Sequence, residues 1–438
     1  MPTQITSSAF SRRAFLGGAA GVASIAVLAA CSSGGGSGGT SSKTIKFWNM
    51  PWGNTTFNTL DKTITTGYKP SGSNGAATYQ VIQWANFTQT FASAVSSNTG
   101  PAVSSGGGTQ AFQYAAQGKI AYADDLIDSW KSNGLYDDFL PGLIDTMKTD
   151  KGYAAVPYNL DMRVLWYSKS LFEKAGIDEA PTDWQSYIDA CKKLKAIGVY
   201  GWGQGSGAGN FTGSHTMVSH MINNGGGLFD ENQKPNVVTQ NNIEAMEFML
   251  ELVKNGYTDP AAATYTSANV QAQWKAKKFG MGFDGAALNQ NVGGDFQTDL
   301  VVGTPLVGQN GGKGALYFPN NIMMYTNTPS QKGSEAFLTY YYKNMAPLWT
   351  KNTGVGLPVL QSIADTAEFK ANANAVKVIK EWQPISKTWA SPGGDALFAG
   401  VTVADGTPAM SNFTQSILGG KVSAKDALTT LQNALKSA

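Results

Sequence analysis

Apolar positions along this chain recur at two spacings. TIKFWNM is a short β-rich run that stops at Pro51. From Ala85 to Ser97, Phe87, Phe91 and Val95 recur every fourth residue, one face of a helix that Gly100-Pro101 ends. Ala102-Val103 then leads into SSGGG, and QAFQYAAQGK predicts a further short helix. The pattern repeats downstream. A continuous apolar strand lies around Arg163–Tyr167, followed by a short helix closed by Gly176. Thr182 or Asp183 caps a helix carrying Trp184, Ile188, Cys191 and Leu194 at helical spacing, and VYGWGQGSGAGNF reads as a strand running into a glycine-rich loop. Ile243, Met246, Leu250 and Val253 mark an amphipathic helix that stops at Gly256. Val270 and Trp274 begin another helix, and FGMGFDG is the next strand. Later helices run through SEAFLTYYYKNM, FKANANAVKVIKEW and SAKDALTTLQNALKSA, the last with a Ser423–Asp426 capping box. Strand, helix, strand and Gly-rich loop in succession predict an α/β fold with ligand loops at strand ends.

The first residues read as an address. Arg12-Arg13 precede a small, apolar run that ends in Leu28-Ala29-Ala30-Cys31, and SSGGGSGGTSS follows. The arginine pair resembles a Tat export signal and Leu-Ala-Ala-Cys a bacterial lipobox. Residues 1–30 are then an export signal, Cys31 the lipidated first residue of the mature chain, and 31–42 a flexible Gly/Ser tether. This puts the protein on the extracytoplasmic face of a bacterial membrane, attached through Cys31 only.

Composition narrows the chemistry. Charged residues are 14% of 438, against about 25% in an average soluble domain. Lys and Arg number 32 and Asp and Glu 30; removing residues 1–30 leaves 30 of each sign. No basic cluster follows the leader, which excludes nucleic acid as the partner. Aromatics make up 11%, with 11 Trp, beside only two histidines. That balance suits flat, neutral, hydroxyl-rich ligands better than metals or anions. His215 and His220 stand five apart, roughly 140° around a helix, and do not converge on a metal. Cys191 reads as a buried core thiol, as do Tyr340, Tyr341 and Tyr342 as packing residues. The G-x-G-x-x-G and G-x-S-x-G matches both fall in the tether, without a strand before or a helix after them. No P-loop, H-E-x-x-H, C-x-x-C or EF-hand loop is present, so neither a metal nor a cofactor is expected.

GYAAVPYNLDMRVLWYSKSLFEKAGI, residues 152–177, resembles the G-x-x-Y-x-x-P-Y…L-x-Y-N-K-x-L-F-x-x-A-G-I segment of the solute-binding proteins of bacterial carbohydrate ABC importers. PTDWQSYIDACKKLKAIG, PAVSSGGGTQAFQYAAQGKIAYADDL and GVGLPV are similar to further segments of that family, in the family's order. Ala102 and Ser168 depart from it, where Asp and Asn are frequent, and the glycine-rich loops at 105–108 and 201–209 are this chain's own. The resemblance implies a two-lobed type II periplasmic-binding-protein fold with a hinge. The chain would cross near Val156–Asn159, Phe283–Gly285 and Phe318–Asn321. Lobe 1 is then 43–157 plus 286–318, and lobe 2 is 158–284 plus 319–438. It implies a monomeric, non-enzymatic lipoprotein that captures a neutral oligosaccharide and hands it to ABC permease subunits. A surface-anchored glycoside-active enzyme, or the same fold binding another neutral solute, is the alternative.

A sugar offers an apolar face and a rim of hydroxyls, so its site needs aromatic platforms beside planar polar groups. The candidates are Trp52 with Asn49 beside it, the Ser105, Gly107 and Gly108 loop, and Asn159 with Asp161 past the first crossing. Phe211 and His215 follow the second glycine-rich loop, Asp284 sits by the second crossing, and Trp389 and Asp395 lie in WASPGGD.

Overall fold

Two strands buried almost throughout, Val156–Met162 and Ala315–Tyr325, form the spine of the structure. Only Asp161 in the first and Tyr317 in the second are less than buried. Strands covered on both faces read as continuous apolar runs rather than alternating ones. They pair antiparallel from Tyr317 opposite Met162 to Ile322 opposite Val156, with a register shift between Asn320 and Asn321. The computed structural model describes residues 43–437; the leader, the tether and Cys31 lie outside the described residues.

The larger sheet runs, in spatial order, Leu357–Pro358, Val156–Met162, Ala315–Tyr325, Val103–Ser105, Ile45–Asn49 and Ala77–Val81. Ile45–Asn49 pairs parallel with both Ala77–Val81 and Val103–Ser105. Parallel neighbours need a crossover, here supplied by helix Thr55–Thr66. The Asn54 side chain caps that helix by accepting from the Thr56 and Phe57 N–H groups. A smaller antiparallel sheet places Val164–Ser168 between Leu300–Val302 and Met281–Asp284. Helix Thr212–Asn223 packs on Met281–Asp284 and on Ala315–Tyr325, helices Gln240–Lys254 and Pro408–Leu418 pack on that helix, and Ala424–Ser437 packs on those two, while Tyr187 of helix Trp184–Ala196 meets Phe283. Asp183 and Ser186 form a reciprocal capping box, and Cys191 is fully buried, with bare Gly201 leaving room for its sulfur. Tyr341 and Tyr342 are core residues, as expected.

Three expectations need correction. Segment 286–318 is expected in the first lobe and 319–438 in the second, but strand pairing divides both segments between the two sheets. Leu300–Val302 pairs with Val164–Ser168 in the smaller sheet. Ile322–Met324 pairs with Val103–Ser105 in the larger one, and Phe337 and Tyr341 of the following helix pack on Phe47. Asn374 and Trp382 bring the chain back to the smaller sheet through hydrogen bonds to Leu300, Val302 and Gly303. Ala315–Tyr325 runs through the passage as one strand, marked only by the register shift at Asn320 and Asn321. The expected strand at VYGWG is reduced to isolated bridges, Tyr200 with Phe279 and Gly203 with Gly282. FKANANAVKVIKEW forms short pieces, Ala367–Lys370, Ala373–Lys377 and a π turn at Val378–Trp382. Two of the segments expected as crossings pair with each other, and Gly285 of the other meets the smaller sheet. Asn159 pairs with Asn320, Pro157 with Asn321, and the Trp166 indole donates to the Gly285 carbonyl.

Candidate ligand-binding cleft

At the end of the Ile45–Asn49 strand the chain turns at Pro51 and presents Trp52, half-buried, to a cleft of about 200 Å³. The indole is held from behind. Its Nε1–H donates to Asn49 Oδ1 at 3.0 Å and to Ser105 Oγ at 3.1 Å. Asn49 Oδ1 also accepts from the Ser105 hydroxyl and from the Met50 N–H. On its other side, Asn49 Nδ2 donates to Asp61 Oδ2 at 2.6 Å. Tyr341 donates to Asp61 Oδ1 at 2.5 Å, with the Tyr158 hydroxyl 2.9 Å from that of Tyr341. Burial raises the Asp61 carboxyl to about 6, against the hydrogen bonds from Tyr341, Asn49 and Tyr79. Each atom of Asn49 that can pair is therefore used inside the protein, and the residue orients Trp52.

Aromatic rings continue the wall. Trp52 meets Trp84 edge-on at 5.0 Å, Trp84 meets Phe87 at 5.4 Å, and Phe87 meets Phe211 at 6.5 Å. Phe211 belongs to the smaller-sheet side, so this last pair spans the cleft. Gly107 and Gly108 line the same side as Trp52. A Cβ at Gly107 would lie 3.1 Å from the Phe87 ring and 3.9 Å from Asp405 Oδ2, so the bare backbone allows this approach.

The floor is polar and charged. Arg163 donates from Nη1 to Asp161 Oδ2 at 2.6 Å, and its guanidinium lies 4.8 Å over the Phe318 ring. Its Nε and Nη2 stand 3.2 and 2.8 Å from Nδ1 of His215. Burial first, and Arg163 second, hold the His215 imidazole below its ordinary pKa; Asp405 and Asp161 oppose them. Asp405 Oδ1 lies 3.6 Å from His215 Nε2, beyond hydrogen-bond range for that pair. His220 takes no part. It is buried among Trp184, Phe248 and Phe283, and burial pushes its pKa down to about 4.

Trp52, Gly107, Gly108, Asp161, Phe211 and His215 thus come together in the cleft. Asn49 and Ser105 stand behind Trp52, fully buried. Asn159 is also buried and accepts from Asn320 Nδ2, which places Asn320 rather than itself at the cleft. Asp284 is outside the lining; its carboxylate accepts from the Gly285 N–H, and burial, opposed by Arg163, raises it to about 6. Trp389 is buried, edge-on to His215 and Phe318, and supports them from outside the cleft. Asp395 is corrected: it sits on an exposed loop, paired with Lys387 at 3.1 Å. Trp84, Phe87, Arg163, Asn210, Phe318, Asn320 and Asp405 line the cleft without having been singled out. Arg163 carried a readable signal, a lone charge in an apolar strand. Among the described residues no group of three or more His, Cys, Asp or Glu side chains is placed to hold a metal ion.

Aromatic planes over a rim of carboxylate, guanidinium, imidazole and amide groups are the chemistry that a neutral polyhydroxylated ring requires. The similarities to known proteins agree with this. A sugar transporter from Arthrobacter chlorophenolicus A6, solved with bound laminaribiose, is 52% identical with a TM-score of 0.87, over 90% of this chain and 99% of that one. Maltose-bound MalE3 of T. maritima shares the two-lobed fold at 16% identity and a TM-score of 0.75, over 90% and 99% of the two chains. A putative binding protein of Brucella abortus (strain 2308) is 24% identical over 324 residues, 70% of this chain and 77% of that one. Residues 68–347 match the family model for bacterial extracellular solute-binding proteins, and on that match, over more than half its length, the chain belongs to this family.

Proposed function

We propose that this protein captures a neutral gluco-oligosaccharide of the β-linked disaccharide class in the cleft and delivers it to an ABC importer while tethered through Cys31. The observation that carries the ligand class is the aromatic and polar cleft itself, in a chain 52% identical to a protein that holds laminaribiose. Trp52, Trp84 and Phe87 offer faces to the sugar rings; Asp161, Arg163, His215, Asn320 and Asp405 receive hydroxyls. Closure about the adjacent strand segments would bring both walls onto one ligand, so binding favours the closed form by the added contacts. Titration of the full-length protein in detergent with laminaribiose, cellobiose and maltose, by calorimetry with chromatography of the same samples, tests this. One ligand per chain and intact sugar are expected, with laminaribiose bound most tightly. Released glucose would favour a glycoside-active enzyme, and no binding to any of the three would overturn the ligand class.

The anchor has its own test. The Leu28-Ala29-Ala30-Cys31 run supplies the thiol that a lipid-transferring enzyme would modify, and among the described residues no helix is long and apolar enough to cross a membrane. Changing Cys31→Ala should release the protein into the medium or leave it unprocessed, as read by fractionation and mass. A variant still membrane-bound at the mature size would refute the tether.

A further inference from the structure

Segment 397–407 leaves the smaller-sheet side of the molecule, touches the larger-sheet side and returns. Before it, the Ser391 carbonyl accepts from the Leu228 and Phe229 N–H groups, and the Phe398 ring meets Phe229 edge-on at 5.2 Å. After it, helix Pro408–Leu418 packs on Thr212–Asn223, and Gln415 donates to the Ser206 carbonyl. Between these two anchors the Ala399–Val403 turn packs on helix Gln110–Ala116, which is tied to the larger sheet by Tyr114 against Tyr325 at 6.0 Å. Val401 and Ala404 of this strap are fully buried. Gly406, at a φ of +70°, turns it between Phe87 of the larger-sheet side and Phe211 of the smaller; a Cβ there would lie 3.6 and 3.8 Å from the two rings.

The middle contact differs in kind from the two anchors. Among the described residues no hydrogen bond joins 397–407 to helix Gln110–Ala116; the backbone N–H groups of Val401, Ala404 and Thr407 are satisfied within the strap itself. A groove of about 410 Å³ runs beside the contact, lined by Phe112 and Ala115 of the helix and Leu397 and Phe398 of the strap. Parting the two surfaces therefore orphans no donor or acceptor, whereas parting either anchor would. We propose that 397–407 is a latch that stays with the smaller-sheet side, docks on helix Gln110–Ala116 when the cleft closes and lifts away when it opens, carrying Asp405 to and from the cleft wall. This rests on the closure described above and names the element that holds the closed state. Ligand escapes only after the latch lifts, so docking sets the off-rate; the open form that first meets ligand has the latch free, so the on-rate does not depend on it.

Hydrogen exchange of the full-length wild-type protein, read by mass spectrometry, tests the latch before any sugar is added. The strap's own N–H bonds close only short turns, so once undocked it exchanges quickly. Without sugar, 397–407 should exchange about 10-fold faster than helices Gln110–Ala116 and Pro408–Leu418, and saturating laminaribiose should slow it. Binding kinetics give the second readout. Val401→Asp, whose charge resists burial against the helix, should raise the laminaribiose off-rate about 10-fold and leave the on-rate within about 3-fold. Val401→Ala, which keeps the strap apolar, should move the off-rate in the same direction by less. A strap equally protected with and without laminaribiose would make the contact permanent and overturn the latch alone, and so would a Val401→Asp loss carried by the on-rate. Should laminaribiose fail to bind while the strap exchanges quickly, the ligand class falls and the latch stands.

Discussion

Trp52→Ala is expected to weaken laminaribiose binding by about 30- to 1,000-fold, roughly 2–4 kcal/mol, with little loss of fold. The indole is half-buried, and two hydrogen bonds to Nε1 fix its orientation before any ligand arrives. A platform already held in place loses little side-chain freedom on binding, so more of its contact energy appears as affinity. The residues behind it remain satisfied after truncation. Asn49 Oδ1 keeps the Ser105 hydroxyl and the Met50 N–H, and Asn49 Nδ2 keeps Asp61. Asn49→Ala should behave differently, with a larger loss of stability, because it removes a donor from the buried Asp61 carboxyl and both supports of the indole orientation weaken. Calorimetry and thermal unfolding of both variants check this. An unchanged dissociation constant in Trp52→Ala would make the residue wall packing only.

Much of the local structure is legible in the sequence because local chemistry decides it. Asp183 and Ser423 cap the helices that their spacing predicts, and Gly176 and Gly256 end others in the left-handed conformation. The long-range arrangement is less so. Ala315–Tyr325 serves both sides of the molecule as one buried strand, and hydrophobic patterning does not record which neighbour a strand chooses. The site shows the same limit. Asn49 and Ser105 end their strands and Asn159 lies within Val156–Met162, and all three face inward to hold Trp52 and Asn320. Whether a polar side chain at a strand end meets ligand or supports a neighbour depends on a rotation of one position. Asp405 reaches the cleft from a segment far along the chain, beside a different Asp, Asp395, that is turned to solvent. Only the packing of 389–407 decides between them.

Arg163→Met is expected to destabilise the protein by about 1–3 kcal/mol at pH 8, the scale for leaving buried polar groups without their donor. Arg163 is 8% exposed and serves Asp161, His215 and the Phe318 face at once. Methionine keeps the stem's volume but leaves Nδ1 of His215 and Oδ2 of Asp161 without that donor. The loss should shrink at pH 5, for two reasons with the same sign. Asp284 has a folded pKa of about 6 against an ordinary 3.8, raised by burial with Arg163 lowering it. Such a group adds stability that is complete below 3.8 and lost as pH rises through the folded value. Without Arg163 the folded value climbs and the loss at neutral and alkaline pH deepens; at pH 5 Asp284 is already largely protonated. His215 has a lowered folded pKa, so its contribution is present above its ordinary 6.5 and lost as pH falls. Removing the neighbouring cation lifts that pKa, and a protonated imidazole then faces Asp161 and Asp405. Denaturant unfolding of wild type and variant at pH 5 and pH 8 measures the difference. An equal loss at both values would mean that Arg163 acts through packing on Phe318, not through its charge.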